Sequence, residues 1–133
     1  MSSITIHPIG YVRHRLGKRR EWRNTVSWIH LDPRYEEALE GLDRYRQIYV
    51  LFYLHEAHRP FEARIYPSGD PANPIAGAFA TRTPNRPNHL GLTLVQLLAV
   101  QGTTLTVWDL DAYDGSPVLD IKPHEPSKTP VAP

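Results

Sequence analysis

Apolar and polar residues alternate over several short stretches of this chain, and helical spacing recurs in only one. Ile4-Thr-Ile-His-Pro-Ile-Gly-Tyr-Val-Arg13 is rich in β-branched residues and partly alternating, which predicts a strand with an edge or bulge at Pro8 and Gly10. Thr25-Val-Ser-Trp-Ile-His-Leu31 alternates again and predicts a second strand. Asp32-Pro33 opens the helical stretch: Asp can cap free amides, Pro suits the first helical position, and Glu36 and Glu37 suit the positive end. Tyr35, Ala38, Leu39 and Leu42 then share one face, and Gly41 and Asp43 mark the end of what is expected to be a scaffold helix. Ile48-Tyr-Val-Leu-Phe-Tyr-Leu54 is uniformly apolar and predicts a central strand covered on both faces. Phe61-Glu-Ala-Arg-Ile-Tyr66 alternates, and Leu92 to Val100 reads as a strand because Gly91 and Gly102 bound it. Thr104 to Asp111 has period two, which puts Leu105, Val107, Asp109 and Asp111 on one face and Thr106, Trp108 and Leu110 on the other. Asp114-Gly115 supplies a turn before a short closing strand, Val118 to Ile121.

About seven or eight short strands, one helix and no alternating βα units predict a mainly β fold. The expectation is a single-domain β-barrel of about seven strands with one short helix, spanning residues 1–124, followed by a flexible tail over 125–133. No G-x-G-x-x-G follows a first strand, so a doubly wound nucleotide crevice is not expected. Pro67 to Pro74 is a turn-rich linker without periodicity.

The pattern breaks most abruptly at Gly77-Ala-Phe-Ala-Thr-Arg-Thr-Pro-Asn-Arg-Pro-Asn-His-Leu-Gly91. Pro84 and Pro87 fix their own φ and push Thr83 and Arg86 toward extended conformations, so the loop is stiff and its side chains are expected to face outward. A stiff loop can present Arg82 and Arg86 as clamps for a carboxylate or phosphate, because the guanidinium forks onto such anions and stays charged.

Composition narrows the chemistry. The chain has 133 residues, enough for one domain with a real core. It contains no cysteine, which excludes disulfides, thiolate catalysis and cysteine zinc sites. His55, Glu56 and His58 lack the H-E-x-x-H spacing that places two imidazoles on one helical face, so no metal is expected. No apolar run reaches membrane-spanning length and the first residues lack the basic start of a secretory signal, so the expected compartment is the cytoplasm. The net charge of +1 conceals an asymmetry: six of the fifteen Lys and Arg residues lie between Arg13 and Arg23, and nine basic against thirteen acidic residues remain elsewhere. Such a focused basic segment, with Trp22 beside the cations, could hold a phosphate backbone and stack a base, or could be a solvated surface loop.

The arginine loop also resembles the signature of the TrmO (YaeB, or TsaA-like) family of S-adenosylmethionine-dependent tRNA methyltransferases, G-x-F-A-T-R-S-P-x-R-P-N-P-I-G. Ile9-Gly10-Tyr11-Val12-Arg13, the stretch from Gly41 to His55, and Asp111 to Pro123 resemble three further family blocks in the same order. The chain departs from the pattern at Arg13-His14-Arg15, at the shorter Gly17-Lys-Arg-Arg-Glu-Trp22, and at His89-Leu90 in place of Pro-Ile. Longer bacterial members carry a further C-terminal domain, so tRNA recognition is expected to differ here or to need a partner.

The resemblance implies a barrel that works as a homodimer with S-adenosylmethionine near the subunit interface. It implies methyl transfer to the exocyclic nitrogen of threonylcarbamoyl-adenosine beside the anticodon of a tRNA. It maps cofactor contacts onto His55, Glu56, Arg82, Leu92, Trp108, Asp109, Leu110 and Asp111. The residue types suit such a donor, acids for the ammonium and sulfonium and Arg82 for the carboxylate, although Asp109 and Asp111 could equally be turn residues and Arg82 an ion-pair partner. Contacts to RNA are expected from Arg13, Arg19, Arg20, Trp22, Arg86, Asn88 and His89. The Asp114, Gly115, Pro117, Asp120 and Lys122 positions could be structural or could line the site. His55, His89 and Tyr113 are the candidates for a general base. The other readings are a non-catalytic barrel that binds RNA or a nucleotide, and a methyltransferase for a small molecule.

Overall fold

The computed structural model describes residues 2–14 and 22–126. Six strands close an antiparallel barrel in the order β1-β2-β7-β6-β3-β8: β1 (Gly10–His14), β2 (Val26–Leu31), β3 (Gln47–Tyr53), β6 (Leu90–Gln101), β7 (Thr104–Trp108) and β8 (Pro117–Pro123). Two short strands, β4 (Arg64–Ile65) and β5 (Ala76–Gly77), form a separate ribbon. The fold is mainly β, as expected.

Alternation is what closes the barrel. Val12, Ile29, Ile48, Val50, Leu105, Val107 and Val118 point inward and are sequestered from solvent, because period-two side chains of every strand share one core. β3 therefore differs from the expected central strand. Ile48, Val50 and Phe52 are buried, while Tyr49 and Leu51 are half-buried on the outer wall and Tyr53 is exposed. A closed barrel has no second layer, so one face of an apolar strand must look outward.

Gly10 lets β1 approach β2: a Cβ there would stand 2.3 Å from the His30 carbonyl oxygen. The strand starts only at Gly10, later than expected, since Pro8 offers no N–H and residues 2–8 lie exposed outside the sheet. The β6-β7 hairpin turns through Gly102 at φ 59°, between Gln101 and its partner Thr104.

The expected helix is two 3-10 segments, Pro33–Leu39 and Leu42–Arg44, separated by Gly41 at φ 86°. The start is as expected: the Asp32 carboxylate accepts from the Arg34 amide at 3.0 Å and Pro33 leads the first turn. A stretch this short gains few cooperative hydrogen bonds, and burying Leu39 needs no full α-turn. The expected strand from Phe61 to Tyr66 reduces to Arg64–Ile65.

At the other end of the chain, the Tyr45 hydroxyl donates to Glu125 Oε1 at 3.1 Å and the His124 amide to the Gln47 carbonyl.

Candidate active site

Between β3 and β6 the chain leaves the barrel, runs through the β4-β5 ribbon and returns along the arginine loop. That loop is held by side chains bonded to backbone. Thr81 Oγ1 donates to the Ala78 carbonyl and accepts from the Thr83 amide, and Thr83 Oγ1 in turn accepts from the Asn85 amide. Arg86 Nη1 reaches the carbonyls of Thr81, Ala78 and Thr83 at 2.9, 3.2 and 3.4 Å. Arg86 is thus turned into the loop rather than outward: an arginine beside loop carbonyls that helix or sheet does not pair satisfies them more readily than it waits for an anion.

Arg82 is exposed, and its Nη2 donates to the Leu92 carbonyl at 2.7 Å, its one hydrogen bond among the described residues. This bond fixes one edge of the guanidinium and leaves the rest of the fork to a ligand.

The loop walls a cavity of about 210 Å³ at one end of the barrel, lined by Phe52 and Leu54 at the end of β3, Arg82, Arg86, Leu92 and Thr93, with Asp111 opposite them in sequence. A second cavity of about 110 Å³ shares Phe52, Leu54, Pro84 and Asp111 with it and adds Glu56, Tyr113 and Ser116. Together they reach the low end of the roughly 300–1,000 Å³ usual for small-molecule sites.

Asp111 reaches this place because the chain turns at Asp109, whose φ is 68°. The expected period-two run through Asp111 therefore ends at Trp108, and the two carboxylates part. Asp109 Oδ1 accepts from the Asn24 amide at 2.5 Å, Leu110 drops fully into the core, and Asp111 lines both cavities.

Of the expected cofactor set, the structure brings together Glu56, Arg82, Leu92 and Asp111. His55 stands at the rim of the set, with Nε2 3.3 Å from Glu56 Oε1 and Nδ1 3.4 Å from Ser116 Oγ. Ser116 Oγ donates to the Tyr113 carbonyl at 2.7 Å and so presents an oxygen to that imidazole. Trp108, Asp109 and Leu110 do not line the cavities. Phe52, Leu54, Thr81, Thr83 and Thr93 were missed. Phe52 and Leu54 could have been found from the end of the β3 apolar run, whereas nothing in the sequence distinguishes Thr93 from other strand threonines.

The expected RNA-contacting residues are dispersed. Arg13 is exposed and 3.8 Å from Asp114, whose Oδ1 also accepts from the His14 amide, so Asp114 anchors β1. Trp22 is half-buried, with the Arg23 guanidinium 4.9 Å above its ring. Arg19 and Arg20 lie outside the described residues. Asn88 is exposed on the loop, and His89, at φ 51°, bonds through Nε2 to the Arg59 carbonyl at 2.9 Å. Gly115 turns at φ 82°, and Asp120 pairs with Lys122 at 3.6 Å. Among the described residues, no three His, Asp or Glu are grouped to hold a metal ion. Among the described residues, no helix is long and apolar enough to cross a membrane.

Residues 18–128 match the model of the tRNA-methyltransferase O N-terminal domain. The chain belongs to the TrmO family. A Methanothermobacter thermautotrophicus protein named a probable S-adenosyl-L-methionine-binding protein is 42% identical over 127 residues, which cover 91% of this chain and 90% of that protein. The mouse tRNA (adenine(37)-N6)-methyltransferase is 39% identical over 90 residues, 67% of this chain and 21% of that enzyme. A crystal structure of TrmO from Pseudomonas aeruginosa superposes with a TM-score of 0.76 at 32% identity, covering 94% of this chain and 57% of that one. The chain thus spans nearly all of its archaeal relative but little more than half of the crystallised TrmO.

Proposed function

We propose that this TrmO-family barrel binds S-adenosylmethionine in the paired cavities and transfers its methyl group to N6 of an adenine beside the anticodon of a tRNA. The observation that carries the reading is the meeting of Arg82 and Asp111, 29 residues apart in the chain, on one cavity. Two features of the cavity suit the cofactor. A guanidinium and carboxylates over Phe52, Leu54 and Leu92 match a zwitterionic, cationic nucleoside with apolar faces. Thr93 Oγ1, in addition, is buried at the wall without a hydrogen-bond partner among the described residues, a defect that a bound polar ligand would repair.

When bound, the cofactor supplies a methyl group activated by the sulfonium charge. The protein's part is to hold and orient. Arg82 takes the carboxylate end; Asp111 and Glu56 offset the positive charges; Leu92 packs against the nucleoside. Asp109 and Leu110 set the backbone turn that delivers Asp111, and Trp108 ends the strand before it. His55, steadied by Ser116, orients Glu56.

The finer substrate is threonylcarbamoyl-adenosine, and a tRNA substrate places the work in the cytoplasm. A homodimer is part of the reading: Leu92, Leu94 and Leu98 project from the outer face of β6, 49, 38 and 50% exposed, and Leu92 also lines the cavity. A partner covering that face would complete the cavity wall.

Labelled methyl transfer tests the proposal. Incorporation into tRNA bearing the threonylcarbamoyl group, and not into tRNA without it, supports both levels. Incorporation into plain tRNA keeps the methyltransferase and removes the modified substrate. Incorporation into neither overturns the tRNA reading.

A further inference from the structure

Phe79 is 77% exposed, the most exposed aromatic side chain of the described residues, yet it is held firmly. It stands on the 3-10 turn Ala78–Ala80, whose neighbour Ala78 is buried. The Phe61 ring lies parallel beside it, with centroids 6.5 Å apart and planes 21° from each other. The Arg86 guanidinium, already fixed by loop carbonyls, sits 5.8 Å from the Phe79 ring centre.

The strip that carries Phe61 is stitched to the loop that carries Phe79. The Glu62 amide donates to the Asn85 carbonyl, the Ala78 amide to the Ala63 carbonyl, Asn85 Nδ2 to Glu62 Oε1, and His89 bonds the Arg59 carbonyl. An exposed aromatic pair costs hydration, and rigid anchoring without burial suits a surface that waits for a flat partner.

Charge says which partner. Residues 57–93 contain four arginines and two carboxylates. Both carboxylates accept internal hydrogen bonds, Glu62 from Asn85 and Asp70 from the Ala72 amide, while Arg59, Arg64 and Arg82 are exposed. An apolar π-surface flanked by the Arg86 guanidinium, on a segment whose exposed charges are cationic, fits a base with its phosphates better than an apolar protein face.

We propose that Phe79, backed by Phe61 and Arg86, is a stacking platform for an unpaired base of the RNA substrate. Arg86 links the two sites, since it lines the cavity and also flanks Phe79, so the platform lies at the cavity mouth. The platform holds the loop in place while an adjacent adenine enters. This rests on the tRNA reading above and adds to it a residue that binds substrate without touching the cofactor.

The test uses the full chain and a synthetic tRNA anticodon stem-loop carrying 2-aminopurine in the loop. Wild-type protein should bind it and change the probe's fluorescence, and Phe79→Ala should bind roughly 10–100-fold more weakly with the fluorescence change lost. Phe79→Trp should restore both. S-adenosylmethionine should raise the melting temperature of all three equally. Phe61→Ala is the second variant and should weaken binding less. If wild type binds the RNA and Phe79→Ala binds it equally well, the platform is refuted while the tRNA reading stands. If wild type binds no RNA although the cofactor stabilises it, the tRNA reading and the platform both fall. If Phe79→Ala alters only the oligomeric state, the aromatic pair is a protein interface and the proposal is wrong.

Discussion

In the barrel, Val12, Ile29, Val50, Leu105 and Val107 are sequestered from water and each strand is hydrogen-bonded to two neighbours; in the loop from Ala78 to His89, only Ala78 is buried. The barrel is held by non-directional burial spread over many residues, and the loop by a few directional bonds, from Thr81, Thr83, Arg86 and His89 to backbone and from Asn85 to the Glu62 carboxylate. The difference teaches where stability and function separate. Barrel substitutions should act on the whole molecule, and loop substitutions on the binding surfaces the loop carries.

The largest expected effect is in the barrel. Ile48→Ala removes a wholly buried side chain and should lower unfolding stability by about 2–5 kcal/mol, with every barrel amide exchanging faster. Denaturant titration and hydrogen exchange check this. Confinement of the change to β3 would deny that the barrel is one cooperative unit.

Arg86→Ala comes next. It takes the only donor among the described residues from the Thr81 and Thr83 carbonyls, while the Ala78 carbonyl keeps the Thr81 amide and hydroxyl, and should cost about 1.5–3 kcal/mol locally. Hydrogen exchange should speed up over residues 78–89 with the barrel amides unchanged, and cofactor affinity should fall. Arg86→Lys should rescue only part of the loss, because all three bonds come from Nη1 alone and the shorter lysine stem must bring its ammonium to the same point. A normal loop in Arg86→Ala would make the guanidinium an outward clamp after all.

This division also explains what was legible in the sequence. Alternation in Thr25 to Leu31 and Thr104 to Trp108 predicted barrel strands because burial repeats with the pleat. The Asp32 cap was visible because it acts within two residues. The inward turn of Arg86 was not visible, since residue type gives an arginine's charge and not its partner. The parting of Asp109 from Asp111 was hidden too: it depends on a left-handed residue tied to Asn24, 85 positions away. Arg82, Leu92, Glu56 and Asp111 were named from a family resemblance, and only folding brings them to two adjoining cavities that meet at Asp111.

The smallest expected effect lies far from both regions. Hydrogen bonds from the Arg34 side chain and amide, with the Arg34 charge, hold the Asp32 carboxyl below the usual aspartate range. A lowered folded-state pKa contributes stability above the unfolded value and loses it as pH falls through the folded value. The melting-temperature difference between wild type and Asp32→Asn should therefore be small at neutral pH and shrink below about pH 4. A difference that grows in acid would reverse the sign of this linkage. Cofactor affinity should not change.

Calorimetric titration of S-adenosylmethionine into wild type, Arg82→Ala and Asp111→Asn tests the central claim most directly. The account predicts that each variant keeps the barrel's melting temperature within a few degrees and binds the cofactor roughly 10–100-fold more weakly, as the loss of a charged hydrogen bond would give. Wild-type affinity in both variants would contradict it, for the cavity that Arg82 and Asp111 share would then not be where the cofactor sits.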